Sequence, residues 1–438
     1  FEEDLVVIDS EEMIFNVEDL IIYRKNQLVI IYNKKFRKYI KLSEEIYKYF
    51  LLGQENKIKI YDFVNYFDDE SDKKYIINLI DIMNKNQIFK SNNLNFDMLS
   101  NGVAIYFCLT NRCNLFCKHC CVESSSNKKD LLSTYDLKNI VDIISVLNTP
   151  HIIITGGEPL IREDFFEIIK YIKQKLPDTK LILSTNGTLI DEHNVDFIIT
   201  NFEKIDISID GVDENTCSET RGKGVFNKVI SSVNLLKDNG FSNIKLSMVF
   251  GQKNSHLNKQ FKDLNKKLGT EFVERYFIPT GRGLENKESY LIEDTVLPIT
   301  IPYILDNELK MCKDKKNKKM GCCACNAGNS QIFINYDGDV YPCPSLIKDD
   351  YKMGNIFDNE FVKVTKENKT RDLKSLIKLE SIYPYNFEKC KDCDVNIFCW
   401  HCPAILDSVK DNELELDRWC SMMKHNLNTA VWGDEKVN

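Results

Sequence analysis

The sequence predicts an α/β protein: a partial barrel of six strand–helix units, with a small hairpin-plus-helices domain before it and a cysteine-rich region after it. Three observations lead there. From residue 103 onward, short apolar strands alternate with amphipathic helices, an order that indicates a parallel sheet. Ahead of that alternation lie two apolar strands and two helical stretches that share none of its rhythm. Beyond about residue 295 the alternation fades and cysteines gather, as expected where metal sites replace part of an apolar core. A chain of 438 residues suits two or three domains, here divided as 1–92, 101–294 and 295–438.

In chain order, DLIIYR and LVIIYN within residues 19 to 33 flank a short polar turn and predict a hairpin. KLSEEIYKYFLL follows, with Leu42, Ile46, Tyr49 and Phe50 at helical spacing. Ser43 is its N-cap, and Glu44 and Glu45 complement the dipole of the first turn. A second helix is predicted from Ser71 to Ile88, burying Ile76, Ile77, Leu79, Ile80 and Ile82. Residues 91–101 are polar and unperiodic, hence a linker. The six strands are VAIYFCLT, HIIITGG, LILSTNG, KIDISIDG, IKLSMVF and FVERYFIPT. Among the helices between them, STYDLKNIVDIISVL places Leu137, Ile140, Val141 and Ile144 on one face, with Ser133 as N-cap. Chemistry is expected at the C-terminal ends of such strands.

The totals exclude several function classes. Hydrophobic residues at 43% and charged residues at 28% fit a soluble globular chain. Leu20 to Ile31, the most apolar stretch, is interrupted by Arg24, Lys25 and Gln27, so no spanning helix and no membrane partner are expected. A net charge of −8 argues against nucleic acid, which asks for a basic face. With no visible secretory signal, the sixteen cysteines imply a reducing, cytoplasmic setting, where clustered thiols hold metal more often than they form disulfides. They fall at 108 to 121, 312 to 343 and 390 to 420, with Cys217 alone between the first two groups. At least two metal regions follow.

Cys113, Cys117 and Cys120 form CxxxCxxC in NRCNLFCKHC, directly after the first barrel strand. Three thiolates can hold three irons of a cubane cluster and leave the fourth open, whereas structural zinc takes four closed ligands. A zinc site or unrelated core thiols are the competing reading. This triad at this place resembles the signature of the radical S-adenosylmethionine (SAM) superfamily. The resemblance implies a partial (β/α)6 TIM barrel whose open iron chelates the methionine amino and carboxylate groups of SAM. One electron from the cluster then yields a 5′-deoxyadenosyl radical. It also places His119 near the adenine and leaves Cys121 a bystander.

Gly156, Gly157, Glu158 and Pro159 close the second strand as TGGEP, which resembles the family's GGEP motif. Glycines let backbone approach a ligand, and a carboxylate there can hold the methionine ammonium; a plain strand-end turn is the alternative. Ser208 and Arg221 are carried over for the SAM carboxylate and ribose. Asp210 is equally readable as a loop cap. Ser184, Thr185 and Asn186 are weaker candidates, because Ser-Thr-Asn-Gly is also an ordinary turn. No catalytic base is read from the sequence.

The last third resembles the SPASM extension of peptide-modifying radical SAM enzymes. Its marks are Cys325, Gly338 and Cys343 in YDGDVYPC, then Cys390, Cys393, Cys399 and Cys402 in CKDCDVNIFCWHC, then Cys420. The family has three residues between the last pair of that run; here only Trp400 and His401 intervene. The resemblance implies one auxiliary cluster on Cys390, Cys393, Cys399 and Cys420. A second would lie on Cys325, Cys343, Cys402 and an upstream thiol, Cys322, with Cys323 and Cys312 as alternatives. Three [4Fe-4S] clusters are thus expected, against zinc ribbons as the structural alternative. Auxiliary clusters can accept the electron that leaves when a substrate radical forms a bond.

The first 92 residues resemble a PqqD-like leader-recognition domain of winged-helix-like fold, whose open hairpin edge can add a peptide strand. The plainer alternative is packing against the barrel. Together these resemblances imply a maturase of a ribosomally made peptide, forming a thioether or carbon–carbon crosslink. Its partners would be a precursor peptide held through its leader and an electron donor such as flavodoxin or ferredoxin. A sulfatase-maturing type would carry an acidic base right after Cys343, where this chain has Pro344. A zinc-held peptide-binding scaffold would leave Glu158, Arg221 and the three-thiol motif without a purpose.

Overall fold

Strands at the start of the chain are set by a turn that only certain backbones make. The computed structural model describes residues 15, 17–89, 102–147, 149–292, 322–323, 325–366, 373–400 and 402–433. β1 (Leu20–Lys25) and β2 (Leu28–Asn33) meet at Asn26 and Gln27, both with positive φ, the twist a two-residue hairpin requires. β3 (Lys38–Ser43) then pairs antiparallel with β2. This strand was not expected, and it takes Leu42 out of the predicted helix. The helix itself runs Glu44–Glu55, and Ser43 Oγ accepts from the Ile46 amide at 3.2 Å, as an N-cap does. Tyr49 turns out to be exposed, while Tyr47 and Phe50 are buried.

The second helix spans Glu70–Lys85 and buries Ile76, Leu79, Ile80 and Met83. Ile77 and Ile82 were expected inside but are exposed. The buried set advances by three and four residues, whereas Ile77 and Ile82 lie on the flanks of that stripe. β2 is covered on both sides: Val29 and Ile31 pack on these helices, and Ile30 and Tyr32 join the main core. That core side faces the cysteine-rich region. Tyr23 Oη donates to Asn396 Oδ1 at 2.7 Å, Tyr32 Oη donates to the Cys323 carbonyl at 2.8 Å, and Tyr39 meets Phe398 edge-on.

β4 (Ala104–Cys108), β5 (His151–Thr155), β6 (Lys180–Thr185), β7 (Lys204–Ser208), β8 (Ile244–Phe250) and β9 (Glu271–Tyr276) lie side by side and parallel. Helices between them bury the predicted stripe of Leu137, Ile140, Val141 and Ile144 behind a Ser133–Asp136 capping box. The barrel is partial and not closed. β10 (Gln331–Ile334) adds a seventh parallel strand beside β4, followed antiparallel by β11 (Asp339–Tyr341) and β12 (Gly354–Asn355). The cysteine-rich region therefore continues the barrel sheet, which its four-residue strand was too short to announce. Gly338, at φ +85°, makes the turn between β10 and β11, and that turn delivers Cys343 just past β11. The proposed linker 91–101, Cys312 and His401 lie outside the described residues.

Candidate functional site

The loop after β4 carries Cys113, Cys117 and Cys120, and its backbone is held by the strand end beside it. Gly157 N–H donates to the Thr110 carbonyl at 2.7 Å, and Glu158 N–H to the Arg112 carbonyl at 2.9 Å. A Cβ on Gly156 would stand 2.6 Å from the Thr110 carbonyl oxygen, and one on Gly157 would stand 2.3 Å from that of Arg112. Absence of a side chain is thus demanded by the cysteine loop itself, besides any ligand.

Glu158 is fully buried beneath the cavity that Gly156 and Gly157 line, and is not part of its wall. Its carboxylate accepts from Thr185 Oγ1 at 2.8 and 2.9 Å, from the Asn186 amide at 2.7 Å and from the Leu160 amide at 3.1 Å. Burial raises its pKa to about 7, against the pull of those donors. The third strand end is thereby tied to the second. Asn186 Nδ2 in turn reaches Cys113 Sγ at 3.8 Å and Asn114 Oδ1 at 2.9 Å.

Asp210 is the hub on the opposite wall. Its Oδ2 accepts from Arg221 Nε at 2.7 Å and Nη2 at 2.6 Å and stands 3.0 Å from His119 Nε2, while Oδ1 takes the Val249 amide at 2.6 Å. Burial opposes the charge, yet Arg221 and His119 hold the carboxyl well below the usual range. Asp210 sits at φ +47°, a conformation Asp and Asn tolerate better than most. Arg221 Nη1 also reaches Cys117 Sγ at 3.8 Å.

Between these walls is a cavity of about 240 Å³. The three cysteines, His119, Ser208 and Arg221 all line it. Amides of Leu115 and Ser124 point at Cys113 Sγ and Cys120 Sγ at 3.4 and 3.3 Å. Burial pushes the Cys113 thiol up to about 12 and raises that of Cys117, so thiolates here need a bound cation to exist. A cluster on three thiolates fits this donor set. His119 Nδ1 is buried and lacks a partner among the described residues, a donor or acceptor left for a ligand. Sequence reasoning missed Arg282, which clamps the loop by donating to the Cys117 carbonyl at 2.8 Å and the Ser124 carbonyl at 2.7 Å and covers the Phe116 ring. Its only signal was the glycine on each side, and Gly281 has φ +52° against the Cys120 and Cys121 carbonyls.

Cys390, Cys393, Cys399 and Cys420 line one smaller cavity of about 70 Å³, with Trp419 Nε1 donating to Cys399 Sγ at 3.0 Å. Trp400 stacks on Trp419 at 4.8 Å. Cys325, Cys343 and Cys402 form a second neighbourhood: burial raises the Cys343 thiol to about 12, helped by Cys325 and Cys402. Cys217 belongs to neither and donates its S–H to the Ile209 carbonyl at 2.9 Å. Among the described residues no three His, Cys, Asp or Glu side chains form a group suited to one metal ion; a cubane instead spreads one thiolate to each iron.

Comparison with known proteins bears on this arrangement. Residues 107–258 match the family model of the radical SAM superfamily, and residues 323–394 that of the SPASM iron–sulfur cluster-binding domain. The chain is 30% identical to the mycofactocin maturase MftC of Mycobacterium tuberculosis, over 59% of this chain and 69% of that protein. It is 27% identical to an AdoMet-dependent heme synthase of Methanosarcina barkeri, over 71% and 94%. To the antilisterial bacteriocin subtilosin biosynthesis protein AlbA of Bacillus subtilis it is 26% identical, over 88% and 84%. Its fold matches the solved structure of native anSMEcpe with bound AdoMet at a TM-score of 0.52, with 22% identity over 75% of this chain and 97% of that one.

Proposed function

Because the chain belongs to the radical SAM superfamily and carries a SPASM iron–sulfur cluster-binding domain, we propose that it matures a ribosomally made peptide by forming a thioether, or else a carbon–carbon crosslink. When bound, a cluster on Cys113, Cys117 and Cys120 and its SAM supply a carbon-centred radical that abstracts substrate hydrogen. The chain's own residues prepare that cavity: Asp210 aims Arg221 and His119 into it, Ser208 offers a hydroxyl, and Glu158 keeps the strand ends in register. Auxiliary clusters on Cys390, Cys393, Cys399, Cys420 and on Cys325, Cys343, Cys402 with an upstream thiol would accept the departing electron. Flavodoxin or ferredoxin would supply the first one, in a reducing cytoplasm. The domain limits 1–92, 101–294 and 295–438 belong to the same reading.

The observation that carries the peptide substrate is an open strand edge. β3 pairs only with β2 among the described residues. Beside it lies a groove of about 430 Å³ bounded by Tyr39, Ile40, Lys41, Tyr75, Leu79 and Ile82. Tyr75 and Ile82 are exposed apolar side chains there. A leader adding as a fourth strand would satisfy the edge amides and place alternate side chains in the groove. The AlbA match, at 88% of this chain, has to extend into the first 92 residues. The heme synthase match favours a second reading, a tetrapyrrole-type substrate, for which the groove has no evident use.

The test is iron and acid-labile sulfide content after anaerobic reconstitution, with 5′-deoxyadenosine formation from SAM and dithionite. About twelve irons are expected, and about four fewer with no cleavage in a Cys113→Ala/Cys117→Ala/Cys120→Ala variant. Zinc in place of iron, or native protein that leaves SAM intact, would overturn the reading.

A further inference from the structure

Arg37 ends the turn between β2 and β3 at φ +53°, where glycine or asparagine would sit with less strain. Its guanidinium is buried, with the central carbon 4.3 Å from the centroid of the Tyr383 ring. Stacking covers the face of the guanidinium and leaves its edge. Among the described residues Nε and Nη1 are buried without an acceptor, an arrangement that native proteins avoid unless another group takes those hydrogens.

Tyr383 and Tyr385 act most strongly on this guanidinium, and the cysteines at 322, 323 and 325 lie close to the residue. Cys322 Sγ stands 3.5 Å from the Arg37 carbonyl and donates to it. The next residue, Cys323, receives Tyr32 Oη on its own carbonyl, so β2 and the cysteine segment run against each other here. The positive charge of Arg37 is felt at Cys323, and both Cys323 and Cys325 act back on the guanidinium. Cys325 is in turn the neighbour of Cys343 and Cys402. Tyr383 Oη, under the stack, is likewise buried without a partner among the described residues.

We propose that Arg37 donates from Nε and Nη1 to the sulfur cage of the auxiliary cluster on Cys325, Cys343 and Cys402. The N-terminal domain thus supplies a positioning residue to a cluster whose ligands lie about 300 residues further along the chain. This inference rests on the proposed function having assigned a cluster to those thiols. Its content is new to that reading: the domain with the open β3 edge also holds a redox centre. A fixed cation beside a cluster favours the reduced state, in which the cage carries more negative charge. Arginine suits the place because its planar fork can serve two sulfurs while its face stacks on an aromatic ring.

The experiment uses the full chain with Cys113, Cys117 and Cys120 changed to alanine, so that only auxiliary clusters report. Arg37→Gln and Arg37→Lys are added to it, and each protein is titrated for iron and followed by electron paramagnetic resonance against potential. Arg37→Gln is expected to move one auxiliary signal to lower potential, with Arg37→Lys falling between it and the parent. A fully loaded Arg37→Gln protein with both signals unmoved would overturn the inference. If Arg37→Gln does not fold, the unmutated Arg37 parent labelled with ¹⁵N-arginine decides: a guanidinium coupling to a reduced auxiliary cluster that vanishes in Arg37→Lys supports the contact, and its absence refutes it. Should the parent itself bind no auxiliary iron, the cluster assignment fails and the inference falls with it, an outcome distinct from full iron with unmoved signals.

Discussion

Asp210 and Glu158 are both fully enclosed carboxylates at the barrel mouth, yet their surroundings drive them in opposite directions. Asp210 faces Arg221 and His119 and stays ionised. Its share of stability is present at neutral pH and is lost only as acid pH falls through its depressed pKa. Asp210→Asn keeps the shape and the φ +47° backbone but strands the Arg221 guanidinium, whose side chain is only 9% exposed. We expect a loss of about 3–5 kcal/mol in urea unfolding of the iron-free chain. SAM cleavage should fall on the order of 100-fold from misaimed groups. Glu158 faces mostly dipoles, and burial lifts it from 4.5 to about 7. Its folded form therefore holds a proton that the unfolded form has released, so this contribution is complete below 4.5 and lost as pH rises through about 7. Iron-free native protein should weaken over that interval relative to Glu158→Gln; equal pH profiles would show that Glu158 is ionised throughout.

Among the elements, strand ends and the segments they hold carry the site. The TGGEP strand end is packed so closely on the cysteine loop that Gly157→Ala places a Cβ 2.3 Å from a carbonyl oxygen. Reconstituted Gly157→Ala should retain about four fewer irons than native protein; full iron would mean that the loop can yield. The helix Glu413–Trp432 contributes Trp419, whose indole N–H meets Cys399 Sγ. Trp419→Phe preserves an aromatic ring against Trp400 and removes the donor. The potential of one auxiliary cluster should fall with iron unchanged, and an unmoved potential would reduce Trp419 to packing.

Across the whole molecule, the N-terminal strands and the cysteine-rich region share one packed core. The Tyr23, Ile30, Tyr32 and Tyr39 face shares its core with Ile397, Phe398 and Tyr385, and Lys25 bridges to Asp394 at 3.0 Å. Truncation of residues 1–92 should therefore cost auxiliary iron and solubility as well as peptide binding, whereas SAM cleavage at the barrel mouth survives better. Iron analysis and 5′-deoxyadenosine formation on the truncated chain check this; full auxiliary iron would show that the domain is a separable appendage.

Sequence alone determined what local chemistry can announce: the CxxxCxxC loop, the alternating strands, the Ser43 and Ser133 caps and the buried stripe from Leu137 to Ile144. Each is written in spacing between near neighbours, which survives without knowing the fold. Tertiary structure alone decided what depends on distant partners. Asp210 was equally readable as a loop cap, and only the fold brings Arg221 and His119 onto it. That Thr185 and Asn186 hold the Glu158 carboxylate was likewise invisible in the sequence. Arg282 carried only its flanking glycines as a signal before its contact with the cysteine loop. β3 was partly read as the start of the following helix and β10 was too short to show a period; both pair with the open edges of β2 and β4. Periodicity records which face of an element is buried; the identity of whatever buries it is a property of the folded chain.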